Sequence, residues 1–215
     1  MKRALVVVAL SLVFISSVQA VPTIQNGSFE EDQGIAVGSY VPVPAGDASI
    51  TGWTIGGGGV DWIESYWTAS DGSRSLDLNR LAAGSILQTF TTIANAWYNV
   101  TFDMAANPDG GSLPKSLMVI TEGGLVGTYQ SSANPKLGNW DAKFGAFQAD
   151  ADGSTTLVFT SMTPAADNGF GPALDNVVVT LVQDTLPAVP APGALLLGSL
   201  GAAMVSFVRR RTLRA

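Results

Sequence analysis

Asp175 is the side chain that most needs an explanation. It lies in GPALDNVVVTL, Gly171 to Leu181, which reads as the last strand of an all-β domain. Strand side chains alternate with period 2, so Ala173, Asp175, Val177, Val179 and Leu181 are expected on one face. Four of these five are apolar, which marks a core face and puts a carboxylate where water is excluded. Burying an ionised carboxylate is costly without a cation, a metal or hydrogen-bond donors. Glu30, in IQNGSFEE, is the natural companion. If the first and last strands are neighbours, the two carboxylates converge and offer oxygens to calcium, which takes six to eight of them. The plainer alternative leaves Glu30 solvated and lets Asp175 accept hydrogen bonds from a turn.

A second group is the aromatic stretch VDWIESYW, Val60 to Trp67. Sugar rings stack on aromatic faces through their C–H groups, while carboxylates and amides accept from hydroxyls. Trp62, Tyr66 and Trp67 are candidate platforms, with Asp61, Glu64 and Asn79 as candidate hydroxyl partners. Trp53 and Trp97 are expected in the core, where aromatics dominate the packing. Glycoside hydrolysis needs two carboxylates at a set separation, and Asp61 with Glu64 or Asp71 with Asp77 are candidate pairs. No motif accompanies either pair, and chance pairs are common on a surface with this many acids. The chain has no histidine and no cysteine, which excludes Ser-His-Asp and Cys-His catalysis, disulfides and the common zinc sites.

The elements that must position these groups are short strands. Apolar and β-branched alternation marks Ile24–Glu31, Ile50–Ile55, Val60–Trp67, Arg74–Leu78, Ser85–Thr92 and Ala96–Ala105. Ser116–Thr121 and Leu125–Gln130 flank Gly123-Gly124, and Ala142–Gln148 and Thr155–Ser161 flank Asp152-Gly153, both in the manner of hairpins. Residues 33–47 read as loop, and the glycines 56–59 as a flexible turn. Helical periodicity is absent from 21 to 186. Eight to eleven strands predict a jelly-roll β-sandwich over residues 21–183.

The ends read differently. Residues 1–20 have a basic start, an apolar run and a small-residue site, as in a secretory signal peptide. Residues 184–192 form a proline-stiffened linker. Residues 193–208 lack charge and suit a transmembrane helix, and 209–215 form a basic tail on the cytoplasmic side. Between the two basic ends stand five basic and seventeen acidic residues, a net charge of −12. Such a domain repels phosphate backbones, so nucleic acid is not expected as a partner.

Two resemblances follow from these residues. Val189-Pro190-Ala191-Pro192-Gly193, the apolar stretch and Arg209-Arg210-Arg211 resemble a PEP-CTERM sorting signal, with Ala191 standing where the motif has glutamate. That resemblance implies an exosortase partner, transient anchoring through the C-terminal helix, and export to the cell surface or extracellular matrix of a Gram-negative bacterium. NGSFE (26–30), TGW (51–53), VDWI (60–63), DGSRSLDL (71–78), ILQTFTT (86–92), YNVTFDMAANPDG (98–110) and GPALDNV (171–177) resemble the choice-of-anchor C family of exported domains. They are also similar to plant cell-wall domains and to galactose-binding-like carbohydrate modules. This implies a galactose-binding-like jelly roll, a structural calcium and polysaccharide binding, with no enzymatic activity. In such modules a Glu of the opening motif and an Asp of the closing strand ligate the ion. Glu30 and Asp175 match them, and carbonyls near Asn26 and Ser73 are the further donors expected. The expected function is non-catalytic carbohydrate binding. The alternative is a structural or adhesive matrix protein without a specific glycan.

Overall fold

The computed structural model describes residues 24–34, 38–167 and 169–182. The expected signal helix, linker, sorting motif Val189 to Pro192, membrane helix and basic tail all lie outside the described residues. Eleven strands are formed: β1 Tyr40–Val43, β2 Thr54–Gly57, β3 Val60–Ile63, β4 Ser75–Asp77, β5 Gly84–Thr91, β6 Trp97–Ala106, β7 Lys115–Thr121, β8 Gly124–Ser131, β9 Asp141–Gln148, β10 Ser154–Ser161 and β11 Pro172–Leu181. Two short 3-10 turns, Pro135–Leu137 and Ala165–Asp167, are the only helical elements among the described residues.

The strands form two antiparallel sheets, ordered β1-β3-β4-β11-β6-β9 and β2-β5-β10-β7-β8. The fold is an all-β jelly-roll sandwich, as the alternation predicted. Alternate residues of both sheets point inward and bury Trp62, Leu76, Met104 and Leu174 from the first sheet against Ile86, Leu117, Leu157 and Phe159 from the second. Phe102 links the layers, with its ring 5.2 Å from Phe159 and 5.0 Å from Tyr129, both edge-on. Edge-on rings are a favoured aromatic geometry.

Several expectations are corrected. Ile24–Glu31 is a chain of turns, not a strand, because Asn26 and Phe29 take positive φ values of 53° and 60°. Positive φ at a bulky residue is rare and interrupts any ladder. The segment still lies beside the last strand, through Val177 N–H donating to the Gly27 carbonyl at 2.9 Å. A Cβ on Gly27 would sit 2.0 Å from the Val177 carbonyl oxygen, so only glycine fits there. The loop expected at 33–47 contains strand β1, and Gly56 and Gly57 belong to β2. The strands flanking Asp152-Gly153 do not pair. β9 pairs with β6, and β10 pairs with β5 and β7, so this connection crosses from one sheet to the other.

The most consequential correction concerns β11. Asp175 pairs with Asp103, yet Val178 pairs with Thr101, so β11 holds one extra residue there. This is a β-bulge, with Asn176 at a φ of 51°. It reverses the face on which odd-numbered residues stand. Leu174, Val177 and Val179 face the core, whereas Ala173 and Asp175 belong to the opposite face. Asp175 is fully buried, but outside the main core.

Candidate functional site

The outer face of the six-stranded sheet is roofed by the loop between β3 and β4. Three carboxylates hold that loop down. Asp175 Oδ2 accepts from the amides of Ser70 (2.7 Å) and Asp71 (2.9 Å), and Oδ1 accepts from its neighbour Asn176 (2.7 Å). Glu30 Oε1 accepts from the amides of Ser73 (2.8 Å) and Arg74 (2.6 Å), and Oε2 from the Ser73 hydroxyl (2.7 Å). Asp103, opposite Asp175, accepts from the Ser70 hydroxyl and the Asn176 amide. Asn26 stays apart from this clamp. Its side chain ties Glu31 and Thr51 together, and its carbonyl accepts from the Trp53 indole.

Of the four residues expected around calcium, Glu30, Ser73 and Asp175 therefore meet at one loop. Asp175 faces N–H donors only, and Glu30 faces N–H donors and the Ser73 hydroxyl. No group of three or more His, Cys, Asp or Glu side chains that could hold a metal exists among the described residues. Two carboxylates fall short of six to eight oxygens, so any ion here takes its remaining ligands from carbonyls and water.

The aromatic candidates separate. Trp62 is fully buried in the core, where its indole donates to the Phe29 carbonyl at 3.0 Å and its ring lies under the Arg74 guanidinium. Trp67 is buried beneath the loop with Ile63, Ala105 and Ala173, and its indole donates to Ser75 Oγ at 2.8 Å. Neither offers a face to a sugar. Tyr66 does, at 37 % exposure. Its hydroxyl donates to Asp109 at 2.6 Å, and the Lys136 ammonium lies 4.3 Å from its ring and 2.7 Å from Asp109. Glu64 is spent on Arg74, at 3.5 Å. Asn79 is fully buried, and its side-chain amide has no hydrogen-bond partner. Trp97, expected in the core, is 53 % exposed.

Asp61 proves the most informative of the set. It lies directly opposite Asp77 across β3 and β4. Asp77 is buried and fully engaged: Oδ1 accepts from the amides of Asn79 (2.8 Å) and Gly171 (3.0 Å), Oδ2 from the Asn107 side chain (2.7 Å). A Cβ on Gly171 would lie 2.4 Å from Asp77 Oδ1, which explains the glycine. Asp77 thus stands far from the role of partner to exposed Asp71. Asp61 Oδ1 is buried with no hydrogen-bond partner. Both acids line a cavity of about 240 Å³ with Tyr40, Tyr66, Arg80, Asn107 and Phe170. Among the described residues Arg80 has no carboxylate within 4 Å. Burial pushes Asp61 up to about 6, against the pull of Arg80, and pushes Asp77 up to about 7. Burial also raises Asp175 to about 7, against its three amide donors. The alternation in VDWI and SLDL placed Asp61 and Asp77 on one strand parity each, but their registry and the distant Arg80, Asn107 and Phe170 carry no local signal.

The topology defines an antiparallel jelly-roll sandwich with a small polar pocket beside its outer face. Residues 22–180 match the family described as protein of unknown function (DUF642), and the chain belongs to that family. It is 32% identical over 206 residues to Halomucin of Haloquadratum walsbyi (strain DSM 16790 / HBSQ001). That match covers 90% of this chain and spans 2% of the length of Halomucin. Among solved structures, the Stig cyclase Fisc from Fischerella sp. TAU, in complex with (3Z)-3-(1-methyl-2-pyrrolidinylidene)-3H-indole, superposes at a TM-score of 0.53 with 14% identity, over 75% of this chain and 97% of that one. This likeness is one of fold. The CBM22-1 xylan-binding domain from Paenibacillus barcinonensis Xyn10C superposes at 0.46 with 18% identity, over 67% and 94%.

The three raised carboxylates set a pH dependence. In the unfolded chain they titrate near ~3.9. Between about pH 4 and 7 the folded domain therefore binds more protons than the unfolded chain, and its stability falls as pH rises. Asp109, held low by the Lys136 ammonium, and Asp141, held low by the Ser131 hydroxyl, act only in more acidic solution. In metal-free buffer the melting temperature should be higher at pH 5 than at pH 8, and Asp77→Asn should flatten that slope. A melting temperature that rises from pH 5 to pH 8 would show that these carboxylates are held ionised.

Proposed function

We propose that this domain is a non-catalytic saccharide-binding module whose ligand occupies the pocket between Asp61 and Arg80. One observation carries the proposal: the pocket joins an acceptor without a donor, Asp61, to a cationic donor without a carboxylate partner, Arg80. Adjacent hydroxyls on a sugar ring supply both a donor and an acceptor, the two partners this pair lacks. The exposed edges of Tyr40 and Tyr66 and the ring of Phe170 supply apolar contact. The volume suits a single sugar unit, since it lies below the ~300–1,000 Å³ of sites for larger ligands. Asp77 is fully spent on three donors and is withheld from acid–base work, which favours binding over hydrolysis. The xylan-binding role of the CBM22-1 domain is that protein's own.

The burial of Trp62 and Trp67 favours a second reading, a structural or adhesive matrix protein, because it removes the broad platform that polysaccharide binding by that loop would use. Export, transient anchoring and exosortase sorting to a Gram-negative surface are part of the proposal. They rest on the residues of both ends alone. Calcium at Glu30 and Asp175 is a separate proposal, supported by the burial of Asp175 without a cationic partner among the described residues.

Three measurements bear on these proposals. In a glycan array with follow-up calorimetry, Arg80→Ala and Asp61→Ala should each weaken saccharide binding roughly 10–100-fold, the scale of a lost charged hydrogen bond. Equal binding by wild type and both variants would remove the pocket from the ligand site, and no binding to any glycan would favour the matrix protein. Intact-mass measurement of surface protein should show both ends removed, whereas a product retaining Arg214 argues against exosortase processing. Chelation at pH 7 should lower the melting temperature by several degrees and calcium should restore it, since an ion at a hundred times its dissociation constant adds about 2.7 kcal/mol. A melt indifferent to both leaves the amide clamp as the full account of Asp175.

A further inference from the structure

A larger cavity than the Asp61 pocket lies away from it. It measures about 520 Å³ and is built where the β7–β8 turn, the end of β9 and the start of β6 meet. Trp97 forms part of its lining and is 53 % exposed. A tryptophan this open gains little from burial. Its backbone is fixed on both sides. Trp97 pairs with Gln148 across β6 and β9, and its carbonyl accepts from the Val182 amide at 2.8 Å. The ring is thus mounted on the sheet and not on a loop.

The rest of the lining mixes polar groups and glycine with Leu125, Val126, Phe147 and small alanines. Asn95, Gln148 and Asp150 border the cavity, with the Gly123-Gly124 turn and Leu125 opposite. Gln148 Nε2 donates to the Asn95 carbonyl at 2.9 Å, which fixes the amide and leaves its oxygen free to accept. No lining residue is basic, while Asp150 is acidic. Phosphate, sulfate and uronate groups are therefore disfavoured, and a nucleic-acid strand with them. A flat, rigid indole beside amide and carboxylate acceptors suits a ring with apolar C–H faces and hydroxyl edges.

We propose that this cavity is a second binding site, for a neutral polysaccharide chain stacked on Trp97. Trp97 opens β6 and Asn107, in the Asp61 pocket, follows its end. Ten residues of strand at ~3.3 Å separate them, about 33 Å. Two sites that far apart hold different chains or distant parts of one chain, so the domain bridges polysaccharide. Bridging rests on the Asp61–Arg80 reading, whereas the Trp97 site stands without it.

The probes are hydroxyethyl cellulose, xylan and galactan, with the full chain and its Trp97→Ala, Trp97→Phe and Arg80→Ala variants. Affinity electrophoresis and quenching of indole fluorescence report binding. Wild-type protein should be retarded by at least one probe. Trp97→Ala should weaken that binding at least about tenfold, the scale of a central tryptophan contact, and Trp97→Phe should recover part of it. The melting temperature should stay within about 2 °C, as for surface substitutions. Arg80→Ala should leave the Trp97-dependent fraction intact. Wild type unmoved by all three probes, or Trp97→Ala binding as wild type does, overturns the second site. Failure of the Asp61–Arg80 reading shows instead as an Arg80→Ala protein identical to wild type while Trp97→Ala still loses binding. Polysaccharide-coated beads should aggregate with wild type and not with either single variant. Aggregation by both variants would overturn bridging alone.

Discussion

The structure depends on the capture of main-chain amides by carboxylates, of which Asp175 is fully buried. Residues 70–74 have no strand partner, so their N–H groups need acceptors from elsewhere. Asp175 supplies two, Glu30 supplies two more, and Asp103 takes the Ser70 hydroxyl. The loop so held buries Trp67 and lies next to Tyr66 in sequence, which lines the Asp61 pocket. A charge accepting several amide donors is favoured over a neutral acid by those donors and opposed by desolvation. At Asp175 desolvation wins, since its pKa rises to about 7. The clamp therefore holds the loop most firmly as an anion while burial pulls it toward the neutral acid.

Much of the architecture was legible because strands of seven to ten residues carry enough alternation to be read alone. β5 to β11 were all found near their observed bounds, and the two-layer sandwich follows from their number. What failed was local backbone exception. The parity argument for Asp175 assumed an unbroken strand, and one extra residue at Asn176 moved the carboxylate to the other face. Positive φ at Asn26 and Phe29 turned an apparent strand into a fitted plug beside that bulge. Asparagine at positions 26 and 176 permits such angles without announcing them, and phenylalanine at 29 argues against one. The opening and closing motifs belong together for a physical reason: Gly27 packs against Val177 with no room for a side chain.

The candidate site was legible only in part. Asp61 and Tyr66 were singled out and do line the pocket, whereas Trp62 and Trp67 were singled out for the same aromatic chemistry and serve packing instead. Sequence offers no way to divide them, because an indole that stacks on sugar and one that fills a core look alike. Here each buried indole finds an acceptor, Trp62 the Phe29 carbonyl and Trp67 the Ser75 hydroxyl. Trp97 went the other way, since its position on β6 faces outward while its neighbour Tyr98 fills the core.

Asp61 and Asp77 show how folding and binding divide one pair of like charges. Carboxylates directly opposite on adjacent strands repel, and burial adds to the cost. Asp77 offsets its share with donors from Asn79, Gly171 and Asn107, which stitch β4 to the segments after β6 and before β11. Asp61 receives none at Oδ1 and has only the more distant Arg80 to favour its charge. A hydroxyl placed between Asp61 and Arg80 would give the carboxylate its missing donor and the guanidinium its missing acceptor. The fold thus satisfies the Asp77 carboxylate and leaves Asp61 Oδ1 unsatisfied, although both acids line the pocket.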